Sequence, residues 1–450
     1  MKIVKAFAKK TGMDGAIAYG SSARVVQAIS GIVTIFMLSA FFTGIEQGYY
    51  YTFHSLLAVQ TFFELGFTGV ITQFVSHEVA HIDICNGSVI SGDKYHLSRL
   101  GSLIRFCVKW YLVASLVFLT ILIVGGFLFF VSSEDVSISW RLPWIILSVA
   151  TAVKLFQSPF SAILMGLDKV KLINKIVFYQ QILSPLFMWI GMTLGWGLYV
   201  VGISSIASVI IWFFIVAQTG QAHLLFCLYK QEVKDSVSYI KEIFPYQWRI
   251  ALSSLSGYFI FHFMTPILFK YQGAVIAGQV GMSISIIGAI QSFSMTWLNT
   301  KIPLYSKLIA LKDYNKLDSM FSITMKQMVT ICTIIMVLAY VCLNMLSNQN
   351  VEVKGSLLGE RFLTGLPLAL LMVAYITDQF NFSWATYLRC HKKEPFLANS
   401  VVTGIACLLA IFIFSKYFTL LYLLLAYAIV RILSVLWGYA IFVTKRKEWH

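Results

Sequence analysis

Five charged side chains lie inside stretches that are otherwise apolar enough to cross a bilayer: Arg24, Glu64, Lys154, Asp378 and Arg431. A charge at that depth costs roughly 2.5–3.5 kcal/mol on insertion scales, so a chain that keeps five has a use for them. A cation there can hold an anionic ligand, because attraction is weakly screened where the dielectric is low. A carboxylate there can load and release a proton, or close a gate by pairing with a cation. Arg24, Lys154 and Arg431 are therefore the candidate substrate-binding cations, and Glu64 and Asp378 the candidate ion-coupling or gating groups. Cations outnumber carboxylates in this set, which favours an anionic substrate.

The neighbours of these residues are polar at helical spacing. Lys154 has Gln157, Ser158 and Ser161 at +3, +4 and +7, which is one helical face. Asp378 has Tyr375 and Asn381 at −3 and +3, and Arg431 has Tyr427 and Ser434 at −4 and +3. Arg24 is followed by Gln27, Gly31 and Thr34. Near Glu64, His54, Thr61 and Thr68 recur every seven residues along 49–76, read as one helix with a wet face. Such stripes predict a water-filled cavity between helix bundles. For Arg24, close to a helix end, snorkelling to the headgroups is an equal reading. A structural ion pair is the competing reading for the others.

Other chemistry is poorly represented. His77, His81 and Cys85 have the i, i+4, i+8 spacing of a metal site, but no acidic partner completes it. A solvated helix end is the better reading. No phosphate-binding loop, dinucleotide fingerprint, HExxH or GxSxG is found, so no cofactor, metal, catalytic residue or ATP hydrolysis is expected. The seven cysteines are scattered without a CxxC pair and read as reduced apolar fillers.

The elements that must position the charges are membrane spans. The chain is 58% hydrophobic and 12% charged, where a soluble domain carries about 25% charged residues. Apolar runs predict twelve spans, at 21–43, 49–76, 106–131, 142–165, 176–197, 198–219, 250–271, 274–299, 325–347, 363–387, 396–415 and 419–443. The N-terminus, the loops after even-numbered spans and the tail TKRKEWH, with adjoining span ends, hold 26 of the 34 Lys and Arg residues. The opposite loops hold five. This asymmetry predicts cytoplasmic termini. The net charge of +15 thus follows topology and gives no reason to expect nucleic acid. The basic start, MKIVKAFAKK, is expected to lie along the inner leaflet and is not read as a signal peptide.

The polar insertion 221–249 is read as a cytoplasmic linker between a first bundle, 1–220, and a second, 250–450. VQTFFEL in span two and IQSFSMT in span eight echo each other, which suggests two repeats around a site near the midplane. Pro159, Pro185, Pro266 and Pro367 are expected to bend their spans, as hinges or static kinks.

Residues 46–78, EQGYYYTFHSLLAVQTFFELGFTGVITQFVSHE, resemble the corresponding stretch of bacterial O-antigen flippases, the Wzx-type polysaccharide exporters. That family shares a superfamily with multidrug and toxin extruders and the lipid II flippase. The resemblance implies an all-α integral membrane fold of two six-helix bundles around a V-shaped central cavity. It implies translocation of an undecaprenyl-diphosphate-linked oligosaccharide from the cytoplasmic to the periplasmic leaflet of the bacterial inner membrane, by alternating access. Lumen cations would meet the diphosphate, and Arg24, Lys154 and Arg431 are the positions open to that role. The expected partners are this lipid-linked oligosaccharide, membrane lipid, H+ or Na+ if transport is ion-coupled, and other membrane proteins of polysaccharide assembly. The alternative is a drug/cation antiporter of the same superfamily, whose lumen would be more acidic or aromatic. An enzyme, such as a membrane O-antigen polymerase or ligase, would need a large periplasmic loop. The longest candidate, near 348–362, is too short for a catalytic lobe.

Overall fold

The computed structural model describes residues 15–64, 67–79, 82–85, 89–131, 138–231, 244–349, 351–353, 356–391 and 393–450. The basic start and residues 232–243 of the expected linker lie outside the described residues. In chain order the helices begin with α1 (Gly15–Phe41), α2 (Gly44–Leu57), α3 (Gln60–Glu64) and α4 (Phe67–Val79). The hairpin β1 (Ile82–Cys85) and β2 (Val89–Gly92) follows, then α5 (Lys94–Val131), α6 (Arg141–Gly166), α7 (Val170–Thr193), α8 (Tyr199–Gln218) and α9 (Gln221–Lys230). Next come α10 (Phe244–Phe261), α11 (Met264–Gln272), α12 (Ala274–Ser294), α13 (Thr296–Asn299), α14 (Ile302–Ala310) and α15 (Tyr314–Asn348). The short hairpin β3 (Glu352–Val353) and β4 (Ser356–Leu357) precedes α16 (Gly365–Arg389), α17 (Leu397–Tyr417) and α18 (Leu420–Trp449).

Each of the twelve expected spans falls on a helix or an interrupted helix. Among the described residues ten helices are long and apolar enough to cross a membrane, or eleven if Gly44–Glu64 and Phe67–Val79 count as one bent span. α16 has the length, at 25 residues, but Thr377, Asp378, Gln379 and Asn381 dilute its apolar character. The chain is a multi-pass helical membrane protein, with two small hairpins among the described residues. Its outward faces are apolar: Leu116, Leu128 and Val113 on α5 are more than half exposed, as lipid-facing residues should be.

Span two departs from the expectation of one continuous helix. α2 ends at Leu57, α3 begins at Gln60, and α4 begins at Phe67 with a 40° bend between the two parts. The chain divides into two compact units, Met1–Phe41 with Val59–Ala251 and Phe42–Ala58 with Leu252–His450. His54 therefore belongs to the second unit and Thr61 and Thr68 to the first, so the seven-residue stripe is not one helical face. The segment matching VQTFFEL begins at this break, and its counterpart IQSFSMT holds Met295, where α12 gives way to α13.

In the first unit α1 packs on α7, α7 on α8, α6 on α5 and α8, and α4 on α6. Trp144 fills the α5–α6 contact, its Nε1 donating to Leu122 O at 2.9 Å, opposite Gly126, where a side chain would collide with the indole. The buried Glu78 accepts from His96 Nδ1 at 2.7 Å and Arg99 Nε at 2.9 Å. This clamp joins the end of α4 to the start of α5 around the β1–β2 hairpin. α4 stops at Val79 and Cys85 lies in β1, so the helical spacing of His77 and Cys85 is not kept; His81 lies outside the described residues. The described part of the expected linker is α9, which packs on α5 and α8. Arg105 caps its end, donating to Tyr229 O at 2.9 Å and Gln231 O at 2.7 Å.

In the second unit α2 lies along α12. Thr43 and Glu46 form a reciprocal cap at its start, each satisfying a backbone amide that helix geometry leaves open. Gln47 Nε2 donates to Gly278 O at 3.0 Å and Arg361 O at 2.8 Å. Gly48 lies directly against the backbone of Ala274, a spacing that no Cβ can enter. α16 packs on α15 and α18, and α18 on α17. Phe321, Trp384, Tyr387 and Phe442 form the centre of an aromatic core there.

The prolines act unequally. Pro159 and Pro185 lie within the unbroken helices α6 and α7. Pro266 is in the first turn of α11, just past the break at His262–Phe263. Pro367 is in the first turn of α16, where its missing amide has no helical partner to lose.

Candidate functional site

Lys154 sits midway along α6, half-buried, and forms no ion pair among the described residues. Its polar neighbours are occupied with helix packing. Gln157 Nε2 donates to Val209 O at 3.3 Å, Ser158 Oγ lies 3.0 Å from Thr68 Oγ1, and Ser161 accepts from Trp212 Nε1 at 2.8 Å. The predicted stripe is real as a face, but it ties α6 to α4 and α8. The ammonium is the one group on it without a described polar partner.

Glu64 ends α3 and accepts from Gln60 Nε2 at 2.5 Å, one turn earlier on the same short helix. α3 packs on α5, with Phe63 and Phe118 rings 5.0 Å apart. Among the described residues Glu64 pairs with no cation. Arg24 is exposed on α1 and also carries no ion pair among the described residues.

Asp378 and Arg431 are brought together. They form an ion pair between α16 and α18 inside the second unit, where both are buried. The guanidinium also lies 5.2 Å from the Phe261 ring centre, a cation–π contact from α10. Tyr427, one turn before Arg431, donates to Ile260 O at 3.0 Å. A turn further on, Ser434 joins three helices: its Oγ accepts from Asn381 Nδ2 at 3.1 Å and Thr403 Oγ1 at 2.9 Å and donates to Asn399 Oδ1 at 3.1 Å. The sequence flags Asn381, Tyr427 and Ser434 beside these charges. It does not flag Asn399 and Thr403, although their four-residue spacing in an apolar span is a usable signal.

The second unit also holds a cavity of about 620 Å³ between α14 and the end of α16, lined by Ile302, Ser306, Ile309, Thr386, Arg389, Cys390 and His391. None of the five charges predicted from sequence lines it. Arg389 is already engaged, donating to Glu394 from Nε at 2.5 Å and Nη2 at 3.1 Å.

No protein-family model and no curated protein matches the chain. Solved structures do. An inward-facing multidrug resistance MATE family transporter of the MOP superfamily superposes with a TM-score of 0.57 at 14% identity, over 93% of this chain and 99% of that one. The lipid II flippase MurJ, in an inward closed conformation, gives 0.57 at 14% identity, over 93% of this chain and 86% of that one. A mutant of the Vibrio cholerae MATE transporter VcmN gives 0.57 at 12% identity, over 96% of this chain and 98% of that one. The chain has the fold of these transporters. At such identities the likeness fixes the course of the backbone and leaves the ligand to the side chains.

Proposed function

We propose that this protein is a flippase carrying undecaprenyl-diphosphate-linked O-antigen repeats, or a similar surface polysaccharide unit, from the cytoplasmic to the periplasmic leaflet of the bacterial inner membrane. The observation that carries the reading is Lys154: an ammonium half-buried in a membrane helix, with no carboxylate partner among the described residues. Such a charge is costly unless an anion visits it. A lipid diphosphate supplies that anion at the depth where the cation stands. The fold shared with a lipid II flippase supports the reading, as does the similarity of residues 46–78 to O-antigen exporters. The fold neighbours are transporters and not enzymes, and alternating access is the cycle their inward- and outward-facing forms imply. Arg24 is a second cation on the same unit, while Arg431 is already neutralised by Asp378. Glu64 is the group available for coupling to H+ or Na+.

The reading is tested in proteoliposomes holding a fluorescent undecaprenyl-diphosphate oligosaccharide, with reduction of the outward-facing dye as the signal. Lys154→Ala should slow translocation about 10- to 100-fold, the worth of one charge-assisted contact. Lys154→Arg should retain part of the rate, since a mobile substrate needs charge more than fork geometry. Parent-like translocation by the Ala variant would remove Lys154 from the substrate path. Proton-dependent export of a cationic dye, with no lipid movement, would replace the flippase by a drug antiporter.

A further inference from the structure

The contact between α4 and α6 has a regular register. Thr68 Oγ1 meets Ser158 Oγ at 3.0 Å, Thr72 Oγ1 donates to Ala162 O at 3.2 Å, and Ser76 Oγ reaches Gly166 O at 3.4 Å. Each rung joins residues 90 apart in sequence. A constant offset is what two parallel helices give, since equal steps along each move to the next contact. One more turn towards the N-terminal ends, four residues on each helix, arrives at Glu64 and Lys154. A carboxylate and an ammonium thus occupy the next rung of a seam whose first three rungs are hydrogen-bonded.

The rung is not made in this structure. The segment Gly44–Glu64, which α3 ends, is bent by 40° from α4; α3 packs on α5, and Glu64 accepts from Gln60 in place of Lys154. We propose that Glu64 and Lys154 pair as the fourth rung when α3 swings from α5 towards α6, and that this pairing alternates with anion binding at Lys154. The proposal rests on the reading of Lys154 as the substrate cation. In the bent form the ammonium is open to a diphosphate. In the closed form the carboxylate displaces the diphosphate and neutralises the cation, so the site releases its ligand by exchanging one anion for another. Gln60 gives Glu64 a partner in the open form, which keeps the carboxylate satisfied in both. Glu64 is on this account a positioning residue for Lys154. Its partner lies in its own unit.

Cysteine cross-linking in the full-length protein tests the rung without reference to transport. Glu64→Cys with Lys154→Cys should form a disulfide under mild oxidation, read by mass spectrometry of the joined peptides, with the singly substituted proteins as controls for the native thiols. Thr68→Cys with Ser158→Cys, at the observed rung, is the positive control. Cross-linking at 68–158 with none at 64–154 would overturn the proposal. A second arm uses undecaprenyl diphosphate as the probe: Glu64→Gln should bind it about three- to tenfold more tightly than the parent, because the competitor is gone. Equal affinity would overturn the exchange. Binding by neither protein would sink the proposed substrate and leave the cross-link to decide the rung.

Discussion

Asp378 and Arg431 neutralise each other inside the second unit, and their burial makes two roles separable by experiment. As a structural pair, they would be worth little against apolar residues of similar size, yet each would be costly to leave alone. Arg431→Ala should therefore lower unfolding stability by about 3–5 kcal/mol, measured in detergent micelles. Asp378→Leu combined with Arg431→Met should recover most of that loss. If the double variant is stable but inactive in translocation, the pair has a functional role as well. If it is as unstable as the single variant, pairing is not what the two charges contribute. The sequence showed these charges plainly, because an ionisable residue in an apolar run stands out. It did not show that Arg431 would find Asp378, since their spans are separated by a third. Spacing within one helix is legible from sequence; the choice of neighbouring helix depends on packing of the whole unit.

At the scale of elements, the end of α18 is docked by a pair of imidazoles that hydropathy does not reveal. His391 Nδ1 donates to Tyr387 O at 3.3 Å, which leaves its Nε2 to accept from His450 Nε2, 3.4 Å away. His450 stacks on Tyr314, with ring centres 4.1 Å apart, and its Nδ1 lies 3.8 Å from Asp318 Oδ2. Arg446 approaches the same carboxylate at 3.4 Å, and the Tyr387 hydroxyl donates to Asp318 Oδ1 at 2.5 Å. Burial pushes both imidazoles below their ordinary 6.5, and His450 and Lys393 lower His391 further, against the Tyr387 carbonyl and Asp318. A proton on each would set two N–H groups face to face. The docked form thus binds fewer protons than the released form, so docking is complete above about pH 6.5 and is lost as pH falls below it. Hydrogen exchange of the 443–450 amides, corrected for intrinsic rates, should show protection holding down to about pH 6.5 and falling below it. His391→Gln keeps an acceptor and removes one of the two titrating imidazoles, so its protection should fall less steeply than the parent's. A matching fall in that variant would assign the effect to His450 alone and remove His391 from it. The break in span two was hidden for a related reason. Ala58 and Val59 carry no helix-breaking signal, and the contacts that hold α2 on α12, through Gln47 and Gly48, are made by residues distant in sequence. Pro159 and Pro185, by contrast, lie inside α6 and α7, which continue through them as helices.

At the scale of the molecule, the number and placement of spans were the most legible features, because the bilayer requires about twenty apolar residues per helix whatever the neighbours do. α16 shows the limit: its polar residues take it below the apolar standard although its 25 residues are enough to span. Orientation is a separate matter and rests on charge. With 26 of 34 Lys and Arg residues on one set of loops and five on the other, reversal would send most of the positive charge across the membrane. The structure adds landmarks for the test. α9, with Lys230 at its end, follows the span α8 and should lie at the cytoplasmic surface, while Ile138 and Ser139 precede α6 on the opposite side. A membrane-impermeant maleimide applied to intact cells, with the outer membrane opened, should label Ser139→Cys and leave Lys230→Cys unlabelled until the inner membrane is breached. The unsubstituted protein, which keeps Cys227 on α9, serves as the background. Labelling of Lys230→Cys above that background in intact cells would reverse the orientation. A reversed chain would present its basic loops to the periplasm, and a flippase loading its diphosphate substrate from the cytoplasmic leaflet would then lack the positive surface that gathers it.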